Sequence, residues 1–187
     1  MIPADFPLAD WYRKADHLYS ETAWMIHVPV AQDWRFNTFF RLRRELGLKG
    51  ELLDVGCGDG RFLTRAKREG WEGGLHGVEF NPNMAGRRQT DFDLELAPIP
   101  EFLARHSAPA YDVITIFDVL EHLAEPGQAM QGVTRLLKPG GRLVITLPNE
   151  ERLRLFEREM WDFPPNHNTR WTVAALRGLA ERHGLEV

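Results

Sequence analysis

Three glycines at every second position, Gly56, Gly58 and Gly60, follow the apolar run Leu52-Leu53-Asp54-Val55. Arg61-Phe62-Leu63 then opens a helical pattern, so the stretch reads as strand, tight turn, helix. Glycine lets a backbone turn sharply and approach a ligand closely. A helix start behind such a turn offers unpaired N–H groups to a polar ligand. The chemistry suited to this stretch is the binding of a nucleoside-containing cofactor. A dinucleotide fingerprint is spaced G-x-G-x-x-G. Here the spacing is G-x-G-x-G, and Arg61 stands where the third glycine would fall, which argues against NAD. Glu79 closes the next short apolar run at the distance, about 20 residues on, where an acid can hydrogen-bond ribose hydroxyls in either kind of site.

A second group of chemically able residues follows the β-branched run YDVITIF: Asp118-Val119-Leu120-Glu121-His122. A further histidine, His167, lies in the loop Pro164-Pro165-Asn166-His167-Asn168. An imidazole titrates near neutral pH, so His122 and His167 are candidate general bases, with Glu121 and Asp118 as polar neighbours. Each has a structural reading as well: His122 bonding a strand end, His167 packing its loop. Cys57 has no basic neighbour in sequence and reads as a small packing residue rather than a nucleophile. The charges between 61 and 68 read as a solvated helix face. Arg87-Arg88 could touch an acidic substrate or simply face water.

The elements that must position these groups follow from periodicity. Strands are expected at Leu52–Val55, Leu75–Glu79, 91–96, Tyr111–Phe117 and 142–147. Residues 91–96 alternate apolar and acidic, as a half-exposed edge strand would. Helices are expected over 61–69, from Pro126 onward, over 150–160, and from Thr172 to His183, with a turn or short helix at Asn81-Pro82-Asn83. Leu185-Glu186-Val187 resembles the opening of one more strand. Alternating strands and helices imply a parallel sheet with helices on both faces, whose ligands bind beyond the carboxyl ends of the strands. Residues 1–50 are dense in aromatics. They suggest helices over 10–20 and 34–46, the second burying a stripe of Trp34, Leu42 and Leu46. They would form an N-terminal helical cover or lid over a core of residues 51–187, within a single domain overall.

The 187 residues suffice for one such domain, and a formal net charge of -4 advertises no nucleic-acid partner. A single cysteine fits a reducing compartment, and neither a membrane-spanning run nor a signal peptide is evident. The expected setting is cytoplasmic.

Taken together, LLDVGCGDGRFL, HGVEFNP, YDVITIFDVLEHL and LLKPGGRLVITLPN resemble the class I S-adenosylmethionine-dependent methyltransferases over most of residues 51–149. The similarity is to the small-molecule branch, which includes ubiquinone-biosynthesis O-methyltransferases and sugar or glycan methyltransferases. The tail Pro164-Pro165-Asn166-His167 with Arg170-Trp171-Thr172 is similar to the tail of that group. The resemblance implies an α/β, Rossmann-like, doubly wound and mostly parallel sheet in a three-layer α/β/α arrangement. Its usual seven strands would here lack part of the C-terminal hairpin, leaving an edge that a homodimer or a further C-terminal chain could cover.

The resemblance also implies roles. Gly56, Gly58 and Gly60 would pass beneath S-adenosyl-L-methionine, leaving S-adenosyl-L-homocysteine as product. Asp54 would orient the amino group, Glu79 would accept the ribose hydroxyls and Phe80 would lie beside the adenine. Asp93, with Leu94 beside it, would face the adenine amino group, with Asp91 as a rival because the segment after Glu79 departs from the family pattern. Phe117 and Asp118 would border the methionine end. The implied activity is methyl transfer to an oxygen or nitrogen of a small-molecule acceptor.

Two other readings stand beside it. Asp118-x-x-Glu121-His122 with His167 faintly resembles the metal site of small-RNA terminal 2′-O-methyltransferases, although Leu123 stands where that pattern has a second histidine. The other is a cofactor-binding module without catalysis. The expectation taken forward is an enzyme without a metal, acting on a small molecule and not on nucleic acid or a membrane.

Overall fold

The computed structural model describes residues 29–85, 92–151 and 163–187. Among these, five parallel strands form one sheet in the order β3-β2-β1-β4-β5. They are β1 (Leu52–Val55), β2 (Leu75–Glu79), β3 (Asp93–Leu96), β4 (Tyr111–Phe117) and β5 (Leu137–Thr146). Parallel neighbours need crossover connections, and helices supply them. The helices are α1 (Trp34–Leu46), α2 (Arg61–Arg68), α3 (Pro82–Ala85), α4 (Ile99–Arg105), α5 (Pro126–Leu136) and α6 (Val173–Arg182). The chain order reverses direction across the sheet between β1 and β4, which makes their carboxyl ends the switch point where such sheets bind ligands.

Successive side chains of a strand point to opposite faces, so one strand feeds two cores. Leu53, Ile114 and Ile116 face α4, α5 and α6, joining Phe102, Leu103, Met130 and Val133. Leu52 and Val113 face α1 and α2, joining Phe36, Phe39, Phe40, Phe62 and Leu63. The α/β/α layering is therefore present, with β1 buried along its whole length at the centre. The acidic alternation of 93–96 marks an outer strand, as its sequence pattern requires.

Local signals set the helix ends. Asp33 caps α1 by accepting from the Arg35 amide, and Gly47 stops it in the left-handed region. Thr172 caps α6 by accepting from the Ala175 amide. The predicted apolar stripe of α1 is corrected. Trp34 and Leu46 are 63 % and 57 % exposed, and the buried face is Phe36, Phe39 and Phe40. Those three rings find aromatic partners across the layer. Phe39 meets Phe62 edge-on at 4.8 Å, and Phe36 lies 5.5 Å from Phe117. Three phenylalanines at i, i+3 and i+4 bury more area than a stripe of one tryptophan and two leucines spaced further apart.

β5 starts earlier than expected. Leu137 already pairs with Tyr111, and the register shifts before Val113 pairs with Arg142. Residues 185–187 form no strand. Leu185 instead packs against the core beneath α6. The helices expected over 10–20 and 150–160 fall wholly or largely outside the described residues, as do Arg87, Arg88 and Asp91. None of the described helices is long and apolar enough to cross a membrane.

Candidate cofactor and acceptor site

The glycine turn leaves β1 toward β2. The amides of Gly56 and Cys57 both donate to the Val78 carbonyl, at 2.9 and 3.0 Å. Gly56 has φ 74°, and a Cβ there would stand 2.5 Å from Val119 Cγ2. The glycine turn and the segment after β4 thus touch, which joins the two chemically able regions at one edge. Gly58 has φ 56°, yet the nearest atom to its Cβ position is Met84 Cε at 3.8 Å. The space above Gly58 is open, as a backbone that must lie against a ligand requires.

Two buried carboxylates flank this turn. Glu79, 5 % exposed, ends β2. Its Oε2 accepts from the Gly58 amide at 2.9 Å, and its Oε1 from the amides of Phe80 and Asn81 at 3.0 and 2.9 Å. Burial raises its pKa, and these three N–H groups oppose the rise. Asp54, 3 % exposed, accepts from Thr115 Oγ1 at 2.7 Å. Burial pushes its carboxyl up to about 7; the Thr115 bond opposes this, and the nearby Glu79 charge adds to it. Burial and the neighbouring acids hold the Cys57 thiol far above its ordinary range, so it packs rather than reacts.

Asp93 and Leu94 are corrected. β3 runs parallel to β2, and Glu79 pairs with Leu96, whereas Asp93 pairs with His76. Asp93 therefore lies at the amino end of β3, on the far side from the glycine turn, exposed and 3.5 Å from His76 Nδ1. Leu94 sits mid-strand opposite Gly77. At the carboxyl end stand Leu96 and Ala97, the Ala97 amide donating to the Glu79 carbonyl at 3.0 Å. A cavity of about 390 Å³ borders Asp93, Leu94 and Tyr111, but it belongs to that opposite side and contains none of the carboxylates of the glycine-turn edge.

Phe117 ends β4 with its ring 4.8 Å from Phe62 and 5.5 Å from Phe36, filling the layer under α1 and α2. Asp118 follows with φ 52°, the left-handed region, where a non-glycine residue is uncommon. Its Oδ2 accepts from Arg35 Nη1 at 2.6 Å and its Oδ1 from Thr146 Oγ1 at 2.9 Å. Arg35 also donates to both Asp33 oxygens, at 2.9 and 2.6 Å. Burial lowers the guanidinium's pKa, but the Asp33 bond and the Asp118 charge outweigh it and hold it above its ordinary value. This clasp ties the start of α1 to the ends of β4 and β5. Sequence reasoning missed Asp33 and Arg35. The cap at Asp33 was readable locally, but a partner 83 residues away was not.

Beyond Asp118, residues Leu120–His122 form one 3₁₀ turn. The Glu121 carboxylate is 2 % exposed, and neither oxygen has a hydrogen-bond partner among the described residues. Burial pushes it up to about 8, with the Asp118 charge adding to the effect. His122 Nδ1 lies 2.7 Å from the Asn166 carbonyl. A carbonyl only accepts, so Nδ1 carries the proton. Burial pushes His122 down to about 4, which corrects the expected near-neutral titration and keeps the ring uncharged at pH 7. Its ring lies 4.9 Å from that of His167.

The loop carrying His167 is fastened over this turn. The amides of Asn168 and Thr169 donate to the Glu121 carbonyl at 2.8 and 3.1 Å, and Asn168 Nδ2 donates to the His122 carbonyl at 2.6 Å. The two candidate histidines, 45 positions apart in the chain, are thereby neighbours.

A parallel sheet with its switch point at a glycine turn, an acid at the next strand end and a polar cluster beside it defines a nucleoside-cofactor α/β domain of the methyltransferase type. Residues 31–187 match the family model described as "Methyltransferase domain". The chain belongs to that family, in the class I S-adenosylmethionine-dependent group, and S-adenosylmethionine is the cofactor of the domain. The open space over Gly58 and the preset Glu79 carboxylate fit such a ligand.

The chain is 32 % identical over 110 residues to a ubiquinone biosynthesis O-methyltransferase of Alkalilimnicola ehrlichii, covering 55 % of this chain and 44 % of the relative. It is 32 % identical over 122 residues to the enzyme of the same name in Sodalis glossinidius, covering 58 % and 45 %. It thus spans somewhat under half the length of these curated relatives. Among solved structures, a SAM-dependent methyltransferase from Archaeoglobus fulgidus superposes with a TM-score of 0.64 at 26 % identity, covering 80 % of this chain and 68 % of that one.

Proposed function

We propose that this domain transfers a methyl group from S-adenosylmethionine to an oxygen of a small-molecule acceptor held beside Glu121, His122 and His167. The observation that supports it most is the contact between Gly56 and Val119. It sets the cofactor residues Asp54, Gly58 and Glu79 and the polar cluster after β4 on one edge of the sheet. The curated relatives named above, O-methyltransferases of ubiquinone biosynthesis, favour oxygen over nitrogen as the acceptor atom.

Bound S-adenosylmethionine would supply an electrophilic methyl group: the acceptor hydroxyl would yield its proton to an imidazole of His122 or His167, its oxygen would form the new C–O bond, and the S–C electron pair would stay on sulfur. The chain's own residues do the rest. Glu79, held by three amides, offers its remaining lone pairs to the ribose hydroxyls without having to reorganise. Asp54 presents a carboxyl to the amino group of the methionine portion. Gly56, Gly58 and Gly60 let the backbone pass close beneath the ligand, with Phe80 beside the base. Phe117 and the Arg35–Asp118 clasp hold the end of β4 in place, so the following turn presents Glu121 and His122 at a fixed position. Alignment of this kind supplies much of the rate of an in-line displacement.

Calorimetric titration with S-adenosylhomocysteine, then turnover of S-adenosylmethionine on a panel of phenolic and catecholic acceptors, tests the reading. Binding with turnover on a hydroxylated acceptor and none on its amine analogues is expected. Absence of cofactor binding, or turnover confined to amines, would overturn it.

A further inference from the structure

We infer that the Phe163 ring, backed by the Arg170 guanidinium, is the wall of the acceptor site that selects a flat aromatic body for the methyl acceptor. The inference rests on the methyl-transfer reading above and adds to it the residue that chooses the acceptor's shape.

Phe163 is 38 % exposed. Exposure alone says little, since single apolar side chains on a surface are ordinary. Three features of its setting carry the argument.

The first is its place. The Phe163 carbonyl accepts the amides of Asn166 and His167 at 3.0 and 3.2 Å, so Phe163 and His167 belong to one tight turn. Just beyond His167, Asn168 and Thr169 fasten the loop to the backbone of Glu121 and His122. Phe163 is thereby anchored at the rim of the edge where the acceptor lies. Trp171, the other large aromatic of this segment, is 8 % exposed and belongs to the core.

The second is the backing of the ring. The Arg170 guanidinium carbon lies 4.9 Å from the ring centroid. Its Nη1 is 3.8 Å from Glu150 Oε1, just past the end of β5. The Glu150 amide donates to the Trp171 carbonyl at 2.8 Å, which ties the two segments together. One face of the ring is therefore covered, and its orientation is set before a ligand arrives, which lowers the ordering cost of stacking. A cation over one face draws on the ring's π electrons, so the opposite face stacks best on an electron-rich ring. A hydroxylated arene is such a ring, and more so as its hydroxyl gives up its proton.

The third is the commitment of the loop's polar side chains inside the protein. Asn168 Nδ2 donates to the His122 carbonyl at 2.6 Å, Thr169 Oγ1 accepts from Trp171 Nε1 at 2.9 Å, and Arg170 faces Glu150. A polyol such as a sugar needs several placed donors and acceptors around its ring. A flat arene needs a polar group at its hydroxyl and an apolar surface for its body, which is what this rim offers.

The test uses the full chain, saturated with S-adenosylmethionine, and two acceptors of the same hydroxyl pattern: catechol and its saturated analogue cyclohexane-1,2-diol. Catechol should show the lower KM. Phe163→Ala should raise the catechol KM by about two- to tenfold, the range of an aromatic pair, with kcat unchanged. Its S-adenosylhomocysteine affinity should also be unchanged, which shows that the variant is folded. Phe163→Leu keeps apolar bulk without a ring and should behave as Phe163→Ala does, whereas Phe163→Tyr should restore the parent KM. Calorimetric titration of catechol into the S-adenosylhomocysteine-loaded chain reads the same changes as Kd where turnover is too slow to follow. An unmoved catechol KM or Kd in Phe163→Ala, or a parental value in Phe163→Leu, would overturn the selecting wall. So would equal use of cyclohexane-1,2-diol, or no catechol binding, by the loaded parent chain. Absence of S-adenosylhomocysteine binding in the parent would instead sink the methyl-transfer reading.

Discussion

Glu79 and Glu121 are both carboxylates just past the end of an apolar strand run, both almost wholly buried, and both at the same edge of the sheet. Their surroundings are opposite. Glu79 accepts three backbone N–H bonds, from its own following residues and from the glycine turn. Glu121 accepts none at its side chain from the described residues, although its backbone carbonyl receives two. A buried carboxylate satisfied by the backbone is set before any ligand arrives and adds contacts to one. A buried carboxylate without partners is set by packing and lacks a complement. The Glu79 side of this edge is therefore satisfied by the chain's own backbone, whereas the Glu121 carboxyl is not satisfied by any described residue.

Removing the satisfied carboxylate should have the largest effect. Glu79→Ala strands three donors in the turn as well as deleting the ribose contact. Loss of charge-assisted bonds of this kind costs roughly 3 kcal/mol, or about a hundredfold in cofactor Kd. Calorimetry on the variant checks this, and an affinity within a few-fold of the parent would break the contrast with Glu121→Gln, which should leave cofactor affinity untouched.

The glycines sharpen the same contrast at intermediate size. Gly56→Ala places a methyl against Val119 in a left-handed conformation, and strain plus overpacking should cost about 2 kcal/mol of folding stability. Gly58→Ala has room and should cost only about 1–2 kcal/mol from the backbone. Its methyl nonetheless intrudes into the space proposed for the cofactor, so cofactor affinity should fall more than stability. Denaturant midpoints and cofactor titrations on the pair separate the two effects.

The most gradual expected effect is a pH dependence. Burial holds Asp54 at about 7 in the folded chain against 3.8 ordinarily. Between those values the folded state keeps a proton that the unfolded state has lost. Its stabilising contribution is therefore fully present below about 3.8 and is lost as pH rises toward about 7. Unfolding midpoints measured across this window should fall with rising pH, and Asp54→Asn should flatten part of that slope. A cationic amino group beside Asp54 favours its ionised form, so S-adenosylmethionine affinity should rise with pH through the same window in the parent and not in Asp54→Asn. An unchanged slope in the variant would remove Asp54 from the cofactor site.

What could be read in the sequence was local. The β-branched run Tyr111–Phe117, the apolar run Leu52–Val55 with three glycines behind it, and the acid closing Leu75–Glu79 each declare their conformation through neighbours a few residues away. Backbone geometry and capping act over that range, so the glycine turn and the acid at the next strand end were legible for that reason. Tertiary structure decided everything that depends on register or on a distant partner. The parallel pairing of β3 with β2 put Asp93 at the far end of the sheet, although its residue type suited the near one. Aromatic partners across the layer turned α1 onto Phe36, Phe39 and Phe40 instead of Trp34. Arg35 found Asp118 across 83 positions, and the Asn166 carbonyl oriented His122 across 44. Such contacts are chosen by where strands and helices stack, because packing rewards whichever groups the fold brings together, and neighbours along the chain carry no record of that choice.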